Sequence, residues 1–225
     1  MENYHHNEIS LNNIEKEVSV KIEKLKKNPI IRKAFDMLDD LPEYLRYHTK
    51  EHTEDVFHEA ILFGIHDGLG EKELEKIAVA AAWHDIGFLI KQNNNETAAV
   101  SLFEREAFLL NLDYVNDIKK MIMDTKLEIT ENGPEILMKH NTSAYLLDAD
   151  VSNFGRPDFK DKMNLIAEES KMDLNNKEIK IKFLKFTSTL LKNQNWHTNA
   201  ARELRQEQKM INIAELEKEI ELLNI

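Results

Sequence analysis

Apolar residues recur at helical spacing along most of the chain. Between residues 9 and 27, Ile14, Val18, Ile22 and Leu25 follow one another every three or four positions among charged residues, which predicts an amphipathic helix. Pro29 suits the first turn of a second helix, which ends near Leu38. Similar patterns predict helices over about 71–85, 96–112, 114–125, 158–172, 177–194 and 198–223, with a loop at 130–134 and a short helical piece to about 139.

The composition agrees with a helical chain. Glycine and proline together number only ten, and no convincing run of alternating apolar and polar residues is bounded by turn signals. We therefore predict an all-α fold. No linker or internal repeat divides the sequence, which favours one helical domain over 1–225, with a core at about 47–155 and flanking helices at 9–40 and 158–223.

Charge and composition exclude several functions. A formal net charge of −11 argues against a long nucleic-acid partner, whereas a small phosphate ester remains compatible with a bound cation. Because the chain has no cysteine, it has no disulfide, thiolate zinc site or cysteine nucleophile. The residues before position 8 do not resemble a secretory signal, and no run of 18 apolar residues occurs, so we expect a cytoplasmic protein without membrane contact.

Polar residues with metal-binding chemistry occur on predicted apolar helix faces. His52 shares a face with Val56, Glu59 and Phe63, which lie four, seven and eleven positions further on. His48 lies one turn earlier, near the start of this helix. The pattern predicts that His52 points inward together with the packing residues.

The most unusual segment is the apolar run from Ala80 to Phe88, which contains a histidine, an aspartate and a glycine. His84 falls on the face of Ile77, and Asp85 follows it directly. We expect the helix to end here, with Gly87 in a left-handed conformation. A buried imidazole beside a carboxylate needs a polar partner, and a metal ion would provide one.

A third segment contributes another carboxylate. Asp150 lies at helical spacing with Leu147, Val151 and Phe154, whereas Asp148 falls on a more polar side. We therefore expect Asp150 to be the aspartate that points into the domain.

The four predicted inward groups, His52, His84, Asp85 and Asp150, suit a single divalent ion such as Mn, Mg, Fe, Co, Ni or Zn. Four protein ligands would leave an octahedral ion open to water and substrate. A single inward histidine is more often a hydrogen-bonded core residue than a ligand. Three separate segments with the same property make a metal site the stronger interpretation.

The order of these motifs resembles the HD superfamily of metal-dependent phosphohydrolases. The resemblance rests on Tyr47-His48-x-x-x-His52, His84-Asp85-Ile86-Gly87, Asn95-Glu96 and Asp148-Ala149-Asp150, and it covers about residues 47–155. It implies an all-α, HD-domain-like bundle, here with additional N- and C-terminal helices. It also implies that His52, His84, Asp85 and Asp150 hold the metal. Thr49 departs from the asparagine usual after the first histidine, and Thr97-Ala98-Ala99 departs from the usual Ser-Ala pair.

The resemblance implies a hydrolase, either a phosphomonoesterase or a phosphodiesterase, acting on a nucleotide or a related small molecule. Asp85 would orient the attacking water, and Glu96 either assists it or caps a helix. His48, Lys126 and Arg202 are candidate substrate-binding residues, although each also fits a solvated side chain. Two alternatives stay open: a catalytically silent metal- or nucleotide-binding regulatory module, and a di-iron oxygenase of the HD type. The amphipathic end helices fit either a homodimer interface or packing within the chain.

Overall fold

The computed structural model describes the backbone of residues 2–224 and the side chains of residues 13–224. Over this part of the chain the protein is all-α apart from one small hairpin, which confirms the predicted fold class. The helices are α1 (Glu2–Leu25), α2 (Pro29–Leu38), α3 (Lys50–His66), α4 (Glu71–Trp83), α5 (Asn95–Leu109), α6 (Val115–Asp124), α7 (Ala144–Asp150), α8 (Phe159–Glu169), α9 (Lys177–Asn193) and α10 (Asn199–Leu223). Short 3-10 helices occur at Ile86–Leu89, Asn141–Ser143 and Ser152–Gly155.

Several predicted helices agree closely with the observed ones. The bounds of α2 are those expected, and α9 and α10 differ from their predicted ranges by one residue at one end. Helix α1 begins earlier than residue 9, and α5 ends at Leu109 rather than at residue 112. The N-cap of α5 is Asn94, in a left-handed conformation (φ 54°).

The predicted loop and helical piece after residue 130 are wrong. Strands β1 (Leu127–Thr130) and β2 (Gly133–Ile136) form an antiparallel hairpin in which Thr130 pairs with Gly133. Asn132-Gly133 is a turn signal, and Gly133 has a φ of 107°. Each strand has only four residues and Ile129 is 72% exposed, so the apolar alternation is too short and too poorly buried to stand out.

Helix α3 lies at the centre of the fold, where it packs against α1, α4, α7 and α10. One continuous hydrophobic core extends from Val18 of α1 to Leu216 of α10. The second half of α4 is buried on all sides, because Ala78 through Trp83 have no exposed surface. Trp83 additionally donates its indole N–H to the carbonyl of Ile30 in α2, at 3.0 Å.

The connection between α3 and α4 determines where their ends meet. The turn after His66 is short, and Gly68 adopts a φ of 75° within it. Two helices joined by so short a turn run antiparallel, so the first turn of α3 lies beside the last turn of α4. Helix α7 packs against both of them and ends at Asp150.

Within residues 2–224, no helix combines the length and the apolar character that crossing a lipid bilayer requires.

Candidate metal centre

Four predicted ligands from three segments converge where α3, α4 and α7 meet. The ligand atoms of His52, His84 and Asp85 all lie within 4.8 Å of one another, and all three residues are buried. Asp150 lies outside this mutually close set, but its Oδ1 is 3.2 Å from His52 Nε2 and 3.5 Å from His84 Nε2. Asp85 Oδ2 lies 3.2 Å from His84 Nε2 and 3.5 Å from His52 Nε2.

The start of α3 fixes His52. Thr49 is the N-cap, and its hydroxyl oxygen accepts a hydrogen bond from the backbone N–H of His52 at 3.4 Å. Threonine is a good capping residue, so the departure from asparagine at this position keeps the helix start intact. His48 lies outside the helix, as expected. The ring of Tyr47 lies against the imidazole of His52, with centroids 4.5 Å apart.

His84 is the C-cap of α4, and its imidazole is held in one orientation. Its Nδ1–H donates to the carbonyl of Ala81 at 2.8 Å, which leaves Nε2 to face the carboxylates. His84 Nε2 and Asp85 Oδ2 are among the buried polar atoms that have no hydrogen-bond partner. Such atoms are destabilising unless something pairs with them, and both belong to the candidate ligand set.

Gly87 allows two backbone segments to come close together because it has no side chain. The left-handed conformation that the sequence suggested for it is not observed, since its φ is not positive. A Cβ at this position would lie 1.8 Å from the carbonyl oxygen of Asn95 and 2.7 Å from the backbone nitrogen of Ala99. Glycine therefore allows the 3-10 helix after Asp85 to contact the first turn of α5. This contact brings the start of α5, which carries Glu96, beside the His-Asp pair.

The predicted difference between Asp148 and Asp150 needs correction. Asp148 is completely buried, whereas the side chain of Asp150 is 17% exposed. Asp148 faces the start of α10, where it accepts hydrogen bonds from the backbone N–H groups of His197 and Thr198 and from the Thr198 hydroxyl. Helical spacing missed this because His197 and Thr198, just before α10, cover the side of α7 that the pattern treated as polar.

The charges within the cluster favour a cation. Burial lowers the pKa of His84, but the carboxylates of Asp85 and Asp150 outweigh burial and hold that pKa well above its usual value. Burial raises the pKa of Asp150, yet its hydrogen bond with His52 and the nearby imidazole of His84 bring that pKa below the usual range. Two buried carboxylates therefore need positive charge between them, from a proton or from a metal ion.

The donor set fits a metal ion. Two imidazoles and two carboxylates suit the divalent ions of the first transition row and tolerate magnesium. His84 Nε2 and Asp85 Oδ2 lack partners in the protein. The partial exposure of Asp150 leaves a side from which water or substrate can approach.

His48 is held by a carboxylate that the sequence analysis did not single out. Glu169 of α8 accepts backbone N–H bonds from Arg46, Tyr47 and His48 through Oε2, at 2.9, 2.9 and 3.1 Å. Its Oε1 pairs with His48 Nδ1 at 2.6 Å. Burial lowers the pKa of His48, but this hydrogen bond and nearby negative charges raise it overall. Glu169 is 121 residues away, so no local pattern could indicate this pair.

A polar cleft of about 970 Å³ lies beside the cluster, and three predicted residues, His48, Glu96 and Lys126, line it. Lys126 Nζ donates to Asn94 Oδ1 at 2.9 Å, so it is positioned on the cleft wall. Burial raises the pKa of Glu96, and the charges of Asp85 and Asp150 raise it further.

A second, apolar pocket of about 220 Å³ adjoins the cleft. His48 and Leu127 line both spaces, and Asp150 lines the apolar pocket. The remaining wall is largely aromatic and aliphatic and comes from the 3-10 helix Ser152–Gly155, from α8 and from α9. Its main residues are Val151, Phe154, Phe159, Met163, Ile166, Phe183, Phe186 and Leu190.

Arg202 does not join the other predicted site residues. Its guanidinium donates to the carbonyl of Trp196 at 2.7 Å and to Asn199 Oδ1 at 2.9 Å, at the start of α10. It lines neither the polar cleft nor the apolar pocket. Its position therefore gives no support to the prediction that it binds substrate.

No protein-family model, curated protein or solved structure matches this chain.

Proposed function

We propose that this chain is an HD-type, metal-dependent phosphohydrolase that cleaves a phosphate ester of a nucleotide or a related small molecule. The observation that carries the proposal is the convergence of His52, His84, Asp85 and Asp150, with two of their buried ligand atoms unpartnered. These four residues would hold one divalent ion. Such an ion supplies a Lewis acid for a phosphoryl oxygen and lowers the pKa of water.

Asp85 is the residue proposed to orient the attacking water. Its Oδ2 is buried and accepts no hydrogen bond within the protein, so it is free to accept one from a water molecule. Attack of water would form a P–O bond opposite the ester oxygen as the bond to that oxygen breaks, and the proton lost by the water would pass to the Asp85 carboxylate that orients it. The ester oxygen then needs a proton.

His48 is suited to supply this proton. Glu169 engages Nδ1, which leaves Nε2 of the same ring as the second proton-carrying atom, and the ring lies where the cleft and the apolar pocket meet. Stacking on Phe88, at 4.4 Å between centroids, limits rotation of the ring. The raised pKa of His48 favours the protonated form that a general acid requires.

Glu96 and Lys126 have supporting roles on the cleft wall. Lys126 offers a positive charge to a phosphate in a chain that is otherwise strongly acidic. Glu96, with its raised pKa, would hold a water or a hydroxyl of the substrate. Neither residue belongs to the converging set of His52, His84, Asp85 and Asp150.

The first experiment measures metal per chain by elemental mass spectrometry on untagged protein. We expect about one divalent ion in wild type and almost none in the His84→Ala/Asp85→Ala variant. His58→Ala is the matched control, because His58 lies on α3 but is 39% exposed and outside the cluster. All forms keep His5 and His6, so binding at those residues cancels. Equal metal in wild type and the double variant would contradict the proposed site.

The second experiment tests turnover by the metal-loaded protein on p-nitrophenyl phosphate, bis(p-nitrophenyl) phosphate and a panel of nucleotides. We expect phosphate release from at least one of them, abolished in Asp85→Ala and retained in His58→Ala. Tight nucleotide binding without product would favour a regulatory module. Two irons per chain with oxygen consumption would favour an HD-type oxygenase.

A further inference from the structure

The apolar pocket beside Asp150 contains a polar side chain with no partner. Asn153 is 5% exposed, and it lines this pocket. Its Oδ1 and its Nδ2 are both buried and neither makes a hydrogen bond. Among the described side chains, Asn153 alone has both polar atoms in this state. A buried carboxamide in an apolar wall is unfavourable unless a ligand or water completes it.

Another buried asparagine shows the ordinary arrangement. Asn212 of α10 is 4% exposed, and its Nδ2 donates to the carbonyls of Phe154 and Arg156 at 2.9 and 3.0 Å. Its Oδ1 accepts from Gln208 at 3.0 Å. Asn212 therefore holds the 3-10 helix Ser152–Gly155 against α10, whereas Asn153, on the same 3-10 helix, has free hydrogen-bonding capacity.

The backbone that carries Asn153 is fixed in place. A Cβ on Gly155 would lie 2.3 Å from the carbonyl oxygen of Arg205, so this segment touches α10 backbone to backbone. Asn212 bonds the same segment from the other side. With its backbone held in this way, the carboxamide keeps an unused donor and an unused acceptor at the pocket wall, where a group that enters from outside can pair with them.

The pocket selects what can enter. At about 220 Å³ it is smaller than the roughly 300–1,000 Å³ of sites that hold a whole drug-sized ligand, so it accommodates one ring system. No lysine or arginine lines it; its acidic lining residue is Asp150, and its basic one is His48, which is paired with Glu169. Because the rest of the wall is mainly apolar, an uncharged ring between Phe154, Phe159 and Phe183 is favoured over an anionic group.

An internal water is the competing explanation. Asn153 also lines a void of about 10 Å³ next to His52 and Asp150, at the lower limit for one water molecule. One water in this void could satisfy part of the carboxamide. If the carboxamide binds only this water, the apolar pocket should not distinguish ligands by their hydrogen-bonding groups. Binding measurements can therefore distinguish the two explanations.

We infer that the apolar pocket binds an uncharged ring whose edge carries a hydrogen-bond acceptor next to a donor, and that Asn153 recognises this edge. A cyclic or aryl amide, or a heterocyclic base, has such an edge. The inference depends on the proposed function at one point, which is that the ring belongs to the substrate that is hydrolysed. Because Asp150 lines the same pocket, the ring would lie beside the metal cluster.

The test is a binding titration on metal-free protein, so its result is independent of hydrolysis. Benzamide carries a donor and an acceptor, whereas acetophenone has nearly the same shape but only the acceptor. We expect ligand-observed NMR to give wild type about tenfold tighter binding of benzamide than of acetophenone, as one added hydrogen bond provides. Equal affinities, or no binding of either compound, would overturn the inference.

Two variants of Asn153 test the assignment. Asn153→Leu should lose the benzamide preference. The isosteric Asn153→Asp should bind both compounds more weakly, because its carboxylate accepts the benzamide N–H but cannot donate to the carbonyl that the two compounds share. Thr187→Val is the matched control, because Thr187 lines the same pocket from α9 and should leave the preference unchanged. Loss of the preference in Thr187→Val but not in Asn153→Leu would place recognition elsewhere and overturn the assignment.

Measurements of thermal stability distinguish a role of Asn153 in ligand recognition from a role in stabilising the fold through a bound water. Without ligand, Asn153→Leu should leave the melting temperature unchanged or raised, because it removes unpaired polar atoms. A fall of several degrees with unchanged benzamide preference would show that Asn153 is structural. Failure of the phosphatase assay with retained benzamide selectivity would contradict the proposed function and leave this pocket assignment standing.

Discussion

Asp148 and Asp150 lie two residues apart on the same short helix and have opposite relations to the protein around them. Asp148 is completely buried and accepts three hydrogen bonds from His197 and Thr198, at 2.8 to 3.0 Å. Asp150 is partly exposed, and its close neighbours are the imidazoles of two other candidate ligands. The first carboxylate is paired with backbone and hydroxyl donors, and the second is paired with an imidazole of the candidate metal cluster.

This difference shows that burial alone does not identify a functional carboxylate. Asp148 is more deeply buried than Asp150, but its partners are backbone and hydroxyl groups that hold the start of α10. What separates the cluster is hydrogen-bonding capacity that stays unused, at His84 Nε2 and Asp85 Oδ2. Substitutions on each side should therefore have different consequences.

The largest expected effect is that of Asp150→Ala. Changes in the partners that surround metal ligands already weaken binding about 10- to 100-fold, so loss of a ligand should weaken it at least 100-fold. Turnover should be lost with the metal. The helical circular dichroism should stay unchanged, because the Asp150 carboxylate bonds to no backbone donor in the described structure. One full metal equivalent in this variant would remove Asp150 from the ligand set.

Asp148→Ala should instead destabilise the fold. It leaves the N–H groups of His197 and Thr198 and one hydroxyl without their acceptor, a loss of about 3 kcal/mol or more. For a chain of this size the melting temperature should fall by roughly 6–12 °C. Asp36→Ala, at an exposed position of α2, is the control. Below the melting temperature the Asp148 variant should still bind metal. A variant of unchanged stability that no longer binds metal would show that Asp148, and not only Asp150, belongs to the metal site.

Glu169→Gln should have an intermediate effect, on catalysis. The amide oxygen can still accept the three backbone bonds, so the segment Arg46–His48 should stay in place. Without the negative charge the pKa of His48 falls. Because the protonated form is the proposed acid, the alkaline limb of the rate profile should move to lower pH. We expect a roughly 10- to 100-fold lower kcat with unchanged metal content. An unchanged profile would show that Glu169 is only structural.

Lys209→Met is expected to have the smallest effect, at the Asp148 side of the molecule. Burial lowers the pKa of Lys209 from 10.5 to about 8, and Asp148 opposes this shift. Since this pKa is lower in the folded protein, the unfolded chain binds more protons between about pH 8 and 10.5, and stability rises with pH there. At pH 7 the variant should be about 1–2 kcal/mol more stable, after loss of the hydrogen bond to Gln194.

Thermal or denaturant unfolding at several pH values checks this prediction. The advantage of the methionine variant should shrink as the pH rises from 8 towards 10.5, because the wild-type lysine then loses its proton in the folded state. An advantage that does not change with pH would attribute it to packing alone.

The long amphipathic helices could be predicted from sequence because local spacing determines them. Pro29 and the N-cap residue Thr198 lie at helix starts that agree with the expected positions to within one residue. The predicted inward face of His52 in α3 was also correct, because His52, Val56, Glu59 and Phe63 are all buried. For α4, the position of His84 on the face of Ile77 carried little information, because every face of the second half of this helix is buried.

The parts that sequence could not give depend on long-range partners. Glu169 reaches His48 across 121 residues, and Asp148 is buried because α10 begins beside it. Asn153 has no signal in the sequence, because an asparagine looks the same whether its amide is paired or not. Gly87 was expected to act through its φ, but it acts through a close contact with Asn95 that only the tertiary structure contains.

That contact also determines how the polar cleft can open. With the backbone at Gly87 already touching that of Asn95, the wall that carries Glu96 cannot move relative to the His-Asp pair without separating two main chains. Tyr44, which is exposed, and Lys171, which follows the end of α8, line the same cleft without such a main-chain contact to the His-Asp pair in the described structure. The Glu96 wall and the His-Asp pair are therefore joined through the backbone and form one structural unit.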